Sequence, residues 1–287
     1  MIKKILKTLI PPIILVIKRW LVSHITFLKF SELVRSNNKL KDIHTNQRVF
    51  ILGSGNSIKK ENLRKLNGEN VISLNNFYVH EDFKEIMADN CKKYHLVAPI
   101  HPPQTKEEWV NWLSEMESHI PKNVTLIFGL DSNKVNTKLI IDEYGLFKNH
   151  KIMWFCASRE FDYESFNIAG MDMTRSIYAA ETASIYGIIA ANYMGFKDTF
   201  LLGVDHDYIL YKNECEMRIY KTAQHQSNGL ERMFNGDFHI IEYLRQYKIF
   251  KKYKVLGLNS KTNIINASQG GLLNIFPRVT FNSLFND

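Results

Sequence analysis

The sequence predicts an α/β fold: a single Rossmann-like, doubly wound and mostly parallel sheet, with a lid insertion and an N-terminal amphipathic helix. Three observations predict it. Short apolar runs alternate with helix-compatible segments, a Gly-Ser-Gly-Asn-Ser turn follows the first run, and a long aperiodic stretch lies late in the chain. Alternating strands and helices are typical of a sheet covered by helices on both faces. The 287 residues, 45% hydrophobic and 23% charged, suffice for one large domain.

The charge and the cysteine pattern narrow the possible partners. The net charge of +8 favours an anionic partner, and neither a zinc-ligand spacing nor an RNA-binding aromatic signature accompanies it. We therefore expect a membrane surface or an acidic ligand and no nucleic acid. Cys91, Cys156 and Cys215 are far apart and odd in number, which is not the pattern of a disulfide framework or a structural metal. We expect a cytoplasmic protein, peripheral to the inner membrane face.

Residues 1–36 are predicted to form a basic amphipathic helix. The apolar run after Pro11-Pro12 is too short to span a bilayer, which needs about 20 residues. One helical stripe after the proline pair is apolar, and Lys18, Arg19 and Lys29 lie near it. Such a helix lies on a membrane face, or it packs its stripe onto the body of the protein or onto a second copy, as in a homo-oligomer. The stripe consists of Ile13, Ile17, Trp20, Leu21, His24, Phe27 and Leu28.

The main domain is predicted to span residues 37–262, with a lid at 203–237, and residues 263–287 are predicted to form a C-terminal tail that packs on it. Helices are expected at 106–119, 181–194 and 238–251. In an open α/β sheet, ligands bind at the carboxyl ends of the strands, so the site is expected at that edge. The strands are expected at 49–52, 71–74, 94–98, 124–128, 151–155, 199–202 and 254–258.

The turn Gly53-Ser54-Gly55-Asn56-Ser57 is the first candidate binding site. It predicts a strand, a tight turn and the start of a helix. Its two glycines allow positive φ and bring backbone N–H groups close to a ligand, and its polar side chains cap the helix or donate to an anion. This is the geometry of a phosphate site. An ordinary strand-to-helix turn is the alternative, because the third glycine of the dinucleotide fingerprint is missing.

Small and hydroxyl-bearing residues begin the Ala-rich helix expected at 181–194. Thr182, Ala183 and Ser184 lie in its first turn. A helix N-terminus favours an anion, so these residues predict a second anion or ribose contact. A simple Thr or Ser cap is the alternative.

Two carboxylates follow the strand expected at 199–202. Asp205 and Asp207 are two residues apart, a spacing that holds a divalent ion against a diphosphate in many nucleotide-sugar enzymes. Alternatively, Asp205 accepts hydrogen bonds from loop backbone and orders the lid, because Asp pairs at strand ends commonly form turns.

The stretch 203–237 is too long for an ordinary connection and is predicted to be a functional lid. It carries Tyr208, Tyr211 and His225. A histidine there is suited to general-base catalysis near neutral pH, and a solvated loop histidine is the alternative.

These pieces, in this order, resemble the bacterial family 42 sialyltransferases and the wider group of related domains in motility-associated glycosylation proteins. The matching motifs lie at 53–57, 74–78, 182–186 with 194–196, and 202–205, so the resemblance covers about residues 48 to 260. It implies a nucleotide-sugar-binding domain that takes a nine-carbon, sialic acid-like sugar from a CMP-activated donor. The sugar is transferred with inversion to a hydroxyl of a cell-surface glycan, such as a lipid-linked acceptor made at the inner membrane face.

The resemblance also implies roles for individual residues. Asn75 matches an asparagine that contacts the nucleotide, and Thr182 matches a polar residue near the donor, whereas Ser54 and Ala183 replace an asparagine and a serine of the family. The family uses a lid histidine as base and two lid tyrosines that stabilise the departing phosphate. The nearest equivalents are His225, Tyr208 and Tyr211, and Asp205 is placed with them in the expected catalytic set.

Two rival functions stay open. Sialyltransferases of this family need no metal, so no cofactor is expected, but Asp207 departs from the family pattern. Some members of the wider group resemble diphosphokinases that act on a hydroxymethyl pterin with ATP and magnesium, and Asp205 and Asp207 would then be metal ligands. The third possibility is a non-catalytic, membrane-tethered scaffold for glycan assembly, which would bind no nucleotide.

Overall fold

The protein is described by a computed structural model that covers residues 11–160, 166, 168–211, 218–219 and 238–285. These residues form eight strands and six α-helices. The strands are β1 (Arg48–Leu52), β2 (Asn70–Leu74), β3 (Lys93–Val97), β4 (Thr125–Leu130), β5 (Ile152–Arg159), β6 (Ser176–Tyr178), β7 (Asp198–Leu202) and β8 (Asn263–Asn266). The helices are α1 (Pro12–Arg35), α2 (Phe83–Met87), α3 (Lys106–His119), α4 (Thr137–Tyr144), α5 (Ala183–Tyr193) and α6 (Phe238–Asn259).

All eight strands pair in parallel in one sheet, in the order β6-β5-β4-β3-β2-β1-β7-β8. The chain moves outward from β1 to β6 and then returns to place β7 on the other side of β1. The strand order therefore reverses between β1 and β7, which is where open α/β sheets bind ligands. The predicted α/β, doubly wound fold is confirmed.

Helices cover both faces of the sheet, as all-parallel strands require. On one face, Phe30 of α1 and Leu113 of α3 join the buried apolar side chains of the strands. On the other face, Ile188 of α5 and Leu256 of α6 do the same. The two cores bury the strands on both sides, which is why the strands appear in the sequence as short apolar runs.

The prediction of a strand at 254–258 is wrong, because these residues belong to α6, which ends at Asn259. Ile249, Tyr253 and Leu256 are all buried, and their spacings of four and three residues place them on one helical face. The last strand is instead Asn263–Asn266, which pairs with β7. The predicted tail 263–287 therefore begins inside the sheet. The three-residue strand β6 was not predicted.

Helix α1 packs on the body through a face other than the predicted stripe. Thr26, Phe30 and Val34 are buried at intervals of four residues, whereas Trp20 of the predicted stripe is 62% exposed. Phe27 alone in that stripe is half-buried against the core. The stripe therefore does not pack onto the body of the protein, and of the partners expected for it a membrane surface or a second copy of the chain is left. In the described part of the chain, no helix combines the length and apolarity needed to cross a bilayer.

Candidate functional site

A cleft of about 1340 Å³ opens at the carboxyl edge of the sheet. It extends from the switch point between β1 and β7 across the ends of β2, β3 and β4. Helices α3, α5 and α6 also contribute to its walls. This is the edge at which the sequence places the site.

Eight of the predicted site residues line the cleft, and four do not. Gly55, Asn56, Asp207 and Tyr211 lie outside its lining, and His225 lies outside the described residues. The structure therefore brings together most of the predicted site residues from four segments that are distant in the sequence. The eight that line it are Gly53, Ser54, Asn75, Thr182, Ala183, Ser184, Asp205 and Tyr208.

The glycines of the first turn serve close backbone packing. Gly53 N–H donates to Leu202 O and Gly55 N–H to Gly203 O, each at 2.8 Å. A Cβ atom on Gly53 would overlap Gly203 O, and one on Gly55 would overlap the Asp205 carboxylate. Positive φ was expected at both glycines and occurs at neither; it occurs at Gly203, where φ is 62°. Any larger residue would push the β1 turn away from the β7 loop.

The expected helix after this turn does not form as an α-helix. Asn56–Lys60 form a 3₁₀ helix, and the chain then turns through Leu63–Leu66 into β2. The turn therefore lacks the long helix whose N-terminus would bind a phosphate in a dinucleotide fold.

Asp205 braces the turn. Its carboxylate accepts a hydrogen bond from Ser57 N at 2.8 Å and another from the Ser57 hydroxyl, and its carbonyl accepts Leu272 N–H at 2.7 Å. Burial raises the pKa of the carboxyl, and the bonds from Ser57 act in the opposite direction. Both carboxylate oxygens are thus engaged by backbone and side chain of the β1 loop. This arrangement supports the alternative in which Asp205 orders the loop.

Asn75 links two strand ends at the floor of the cleft. Its φ is 45°, and its Oδ1 accepts the backbone N–H of Ala98 at 3.0 Å. Asparagine adopts this left-handed conformation more readily than most residues. The side chain is therefore held in place between β2 and β3 at the edge where it lines the cleft.

The N-terminus of α5 opens onto the cleft without a capping side chain. Thr182 is the N-cap residue, but its side chain makes no capping hydrogen bond. Its hydroxyl instead lies 2.9 Å from Ser184 Oγ. The first-turn amides of this eleven-residue helix are left without that partner and carry the positive end of the helix dipole. They suit an anionic ligand.

A buried hydrogen-bond chain extends from this helix to His206. The Tyr253 hydroxyl lies 2.5 Å from Ser184 Oγ and 2.7 Å from His206 Nε2. The imidazole is 5% exposed and lines the cleft, and its Nδ1 has no hydrogen-bond partner within the described ranges. Burial lowers the pKa of His206 to about 3, and Arg245 and Arg218 act in the same direction. His206 is therefore neutral at neutral pH.

Two described residues of the predicted lid, Arg218 and Ile219, lie against the glycine turn. Arg218 forms a β-bridge with Gly55, Ile219 N donates to Ser54 O at 3.0 Å, and the Arg218 guanidinium lies 3.5 Å from Ser54 Oγ. The same guanidinium lies 5.4 Å from the centre of the Tyr208 ring. A cation is thus positioned beside the turn and lines the cleft.

The other predicted lid residues have different surroundings. Tyr211 donates its hydroxyl to Asp207 Oδ2 at 3.0 Å, and Asp207 Oδ1 is buried with no hydrogen-bond partner among the residues described. Burial raises the pKa of Asp207, and the neighbouring Asp205 raises it further. In the described part of the chain, no group of three or more His, Cys, Asp or Glu side chains is arranged to hold a metal ion.

Four residues in the cleft were missed or ranked low by the sequence analysis. Arg218 carries no motif, and the only sequence signal for His206 was its position near the end of the strand expected at 199–202. Trp109 and Trp112 of α3 also line the cleft, with ring centres 5.2 Å apart. The spacing of three residues on a helix was the available signal for the tryptophans, since it places them on one face.

Comparison with known proteins identifies no relative: no family model matches the chain, and no curated protein shows significant similarity to it. The resemblance to family 42 sialyltransferases stays a prediction.

Proposed function

We propose that this protein is a glycosyltransferase that transfers a sialic acid-like sugar from a CMP-activated donor to a cell-surface glycan. The observation that carries the proposal is the convergence of two positive features on one cleft, beside the glycine turn at the switch point. They are the N-terminus of α5 and the Arg218 guanidinium. A nucleotide sugar needs such a site because its phosphate and nucleoside must be held together.

The positive groups would bind the donor phosphate. Arg218 offers hydrogen-bond donors in a planar fork that suits phosphate oxygens, and the α5 N-terminus adds backbone amides. Asn75, fixed by Ala98 N–H, is placed to position the nucleoside. The pocket is large enough for a bound sugar beside the nucleotide, since small-molecule clefts typically measure about 300–1000 Å³.

In the proposed reaction, the acceptor hydroxyl oxygen forms a bond to the anomeric carbon as the bond from that carbon to the donor phosphate breaks. The electron pair of the broken bond leaves with the phosphate, and the hydroxyl proton passes to a base. Positioning and stabilisation of the phosphate charge by Arg218 and the α5 amides would supply most of the rate.

A histidine is the proposed base. His225 is retained for this role, although it lies outside the described residues. His206 suits it less, because a general base works best with a pKa near the working pH and burial lowers the pKa of His206 to about 3. Its Nε2 lies 2.7 Å from the Tyr253 hydroxyl, so His206 belongs to the buried hydrogen-bond chain that supports the start of α5.

The diphosphokinase alternative has one supporting observation. Asp207 Oδ1 is a buried acceptor without a hydrogen-bond partner among the described residues, and a cation would satisfy it. Asp205 offers less support, since Ser57 already donates to both of its carboxylate oxygens. This alternative requires magnesium and ATP, so ligand binding separates it from the main proposal.

Thermal unfolding with nucleotides tests the proposal. CMP, CDP, UDP, GDP and ATP are each added with and without magnesium or manganese. A ligand at a hundred times its Kd stabilises the folded protein by about 2.7 kcal/mol, which raises the Tm of a chain of this size by about 5 °C. We expect this shift with CMP and without metal.

The Arg218→Ala variant makes the test specific for the cleft. It should lose most of the CMP response, whereas Arg64→Ala, which removes an exposed arginine outside the cleft, should keep it. A metal-dependent response to ATP would instead favour the diphosphokinase. A wild-type protein that responds to no nucleotide would overturn both enzymes and favour the scaffold.

A further inference from the structure

Helix α1 extends beyond the carboxyl edge of the sheet. Asn37, just after the helix, donates to Trp154 O near the start of β5, whereas Arg19 pairs at 2.6 Å with Glu160, just past its end. The helix therefore runs antiparallel to β5. At 1.5 Å per residue, its first residue lies about 10 Å farther along the helix axis than Arg19. The free end of α1 projects on the side where the cleft opens.

The exposed surface of α1 is strongly apolar, both in this projecting part and in the turns of the helix that follow it. Ile13 is 61% exposed, Ile17 50% and Trp20 62%. With 100° of rotation per residue, seven of the nine large exposed apolar side chains of the helix fall within an arc of about 140°, and Val16 and Val22 lie outside it. Isolated exposed apolar residues are ordinary, but a contiguous set of this kind marks a surface that something else covers. The remaining members of the arc are Ile14, Leu21, Ile25 and Leu28.

Helix α6 projects beyond the same edge. Tyr253 reaches Ser184 at the N-terminus of α5, and the helix then runs down to Asn259, before β8 begins at the amino edge. Residues 240–247 lie on the other side of Tyr253, about 9–20 Å along the helix axis from it. They therefore extend outward beside the cleft.

The projecting part of α6 carries a second apolar stripe. Ile240, Tyr243, Leu244 and Tyr247 have the spacing of one helical face and are 59% to 67% exposed. Leu244 also lines the cleft, so the stripe is continuous with the cleft mouth.

Both helices are basic. Helix α1 has four basic residues and one acidic residue, Glu32, whereas α6 has five basic residues and one acidic residue, Glu242. In a dimer of this chain, the basic residues beside the apolar stripes of the two copies would face and repel each other. Anionic lipid headgroups would instead neutralise these basic residues. The basic residues are Lys18, Arg19, Lys29 and Arg35 in α1, and Arg245, Lys248, Lys251, Lys252 and Lys254 in α6.

We propose that the exposed stripes of α1 and α6 together insert into the surface of an anionic lipid bilayer and hold the cleft mouth against it. Because the outer ends of both stripes project beyond the carboxyl edge of the sheet, the bilayer would lie across that edge. Resting on the proposed function, this orientation assigns the acceptor to a class: a glycolipid whose lipid part stays in the bilayer while its sugar enters the cleft.

Vesicle sedimentation tests the surface. The 287-residue protein is mixed with phosphatidylcholine vesicles that do or do not contain phosphatidylglycerol. We expect binding to the anionic vesicles that weakens with added salt, and at least about tenfold weaker binding by Ile17→Glu/Trp20→Glu and by Tyr243→Glu/Tyr247→Glu. The matched controls are Ile43→Glu and Leu258→Glu, two exposed apolar sites near the amino edge, which should bind like wild type.

Several outcomes would overturn the proposal. Equal binding to vesicles with and without phosphatidylglycerol would overturn it, as would stripe variants that bind vesicles like the wild type. The proposal would also be overturned if light scattering showed a dimer that Ile17→Glu/Trp20→Glu converts to a monomer, because a second copy would then cover the stripe. The nucleotide response of each variant is measured in parallel. Vesicle binding without any nucleotide response would remove the proposed function alone, and a nucleotide response without vesicle binding would remove the docking surface alone.

Discussion

His206 should make the folded protein sensitive to acid. Its imidazole is enclosed by Tyr253, Phe250 and Tyr208, and its Nε2 lies 2.7 Å from the Tyr253 hydroxyl. Burial, together with the nearby charges of Arg245 and Arg218, lowers its pKa to about 3. An unfolded chain has no such environment, so its histidine has a pKa of about 6.5.

The size of the effect follows from this difference. Between the two pKa values the unfolded state binds one proton more than the folded state, so the free energy of unfolding falls as the pH falls. The contribution is fully present above the unfolded pKa and is lost progressively as the pH approaches about 3. For one histidine the slope is about 1.4 kcal/mol per pH unit, which gives a loss of about 2.5 kcal/mol between about pH 6 and pH 4.

The His206→Gln variant isolates this contribution. Urea unfolding is measured across this pH range for the wild type, for His206→Gln and for His24→Gln, in which an exposed histidine is replaced. Carboxylates titrate in all three proteins and cancel in the comparison. We expect the loss of stability to be about 2.5 kcal/mol smaller in His206→Gln and unchanged in His24→Gln. Equal pH slopes in the wild type and His206→Gln would refute the burial of a neutral imidazole.

Two further predictions concern the brace beneath the cleft. Asp205→Ala leaves the buried Ser57 N–H and hydroxyl without their acceptor, so the free energy of unfolding should fall by about 1–3 kcal/mol in urea unfolding and the CMP response should disappear. Asp205→Asn retains an acceptor and should lose less; equal losses would contradict the hydrogen-bond role. Gly55→Ala places a Cβ on the Asp205 carboxylate and should cost about 1–3 kcal/mol. Gly270→Ala is the control, because its new Cβ would lie 3.7 Å from Ser57 Cβ and should be tolerated. If Gly55→Ala and Gly270→Ala had similar melting temperatures, the close contact between Gly55 and Asp205 would be contradicted.

Much of the fold was predictable because a buried parallel strand needs an apolar run. Six of the eight strands have one, and their predicted positions differ from the observed ones by a few residues at each end. The failures have physical causes. Strand β6 has three residues, too few for a pattern, and β8 has only two apolar residues, which lie between two asparagines. The 254–258 run is apolar enough for a strand but continues the buried face of a long helix.

The candidate site was predictable only where one segment carries its own chemistry. The glycine turn and the start of α5 have local signatures, and both line the cleft. The reason for the glycines was not accessible, because the atoms that exclude a side chain at Gly55 belong to Gly203 and Asp205, about 150 residues later. Arg218 and His206 likewise gain their significance only from what the fold brings beside them.

The contacts around Gly53-Ser54-Gly55 would connect the proposed donor binding to the predicted lid. The turn is bonded on one side to the β7 loop, through Leu202 and Gly203, and on the other to the described lid residues Arg218 and Ile219. A phosphate held between the turn and the Arg218 guanidinium would therefore bind best in the conformation in which these lid residues are docked. A ligand shifts an equilibrium toward the state that it binds more tightly. Donor binding and lid closure would then be one coupled event, and loss of the Arg218 side chain should weaken both together.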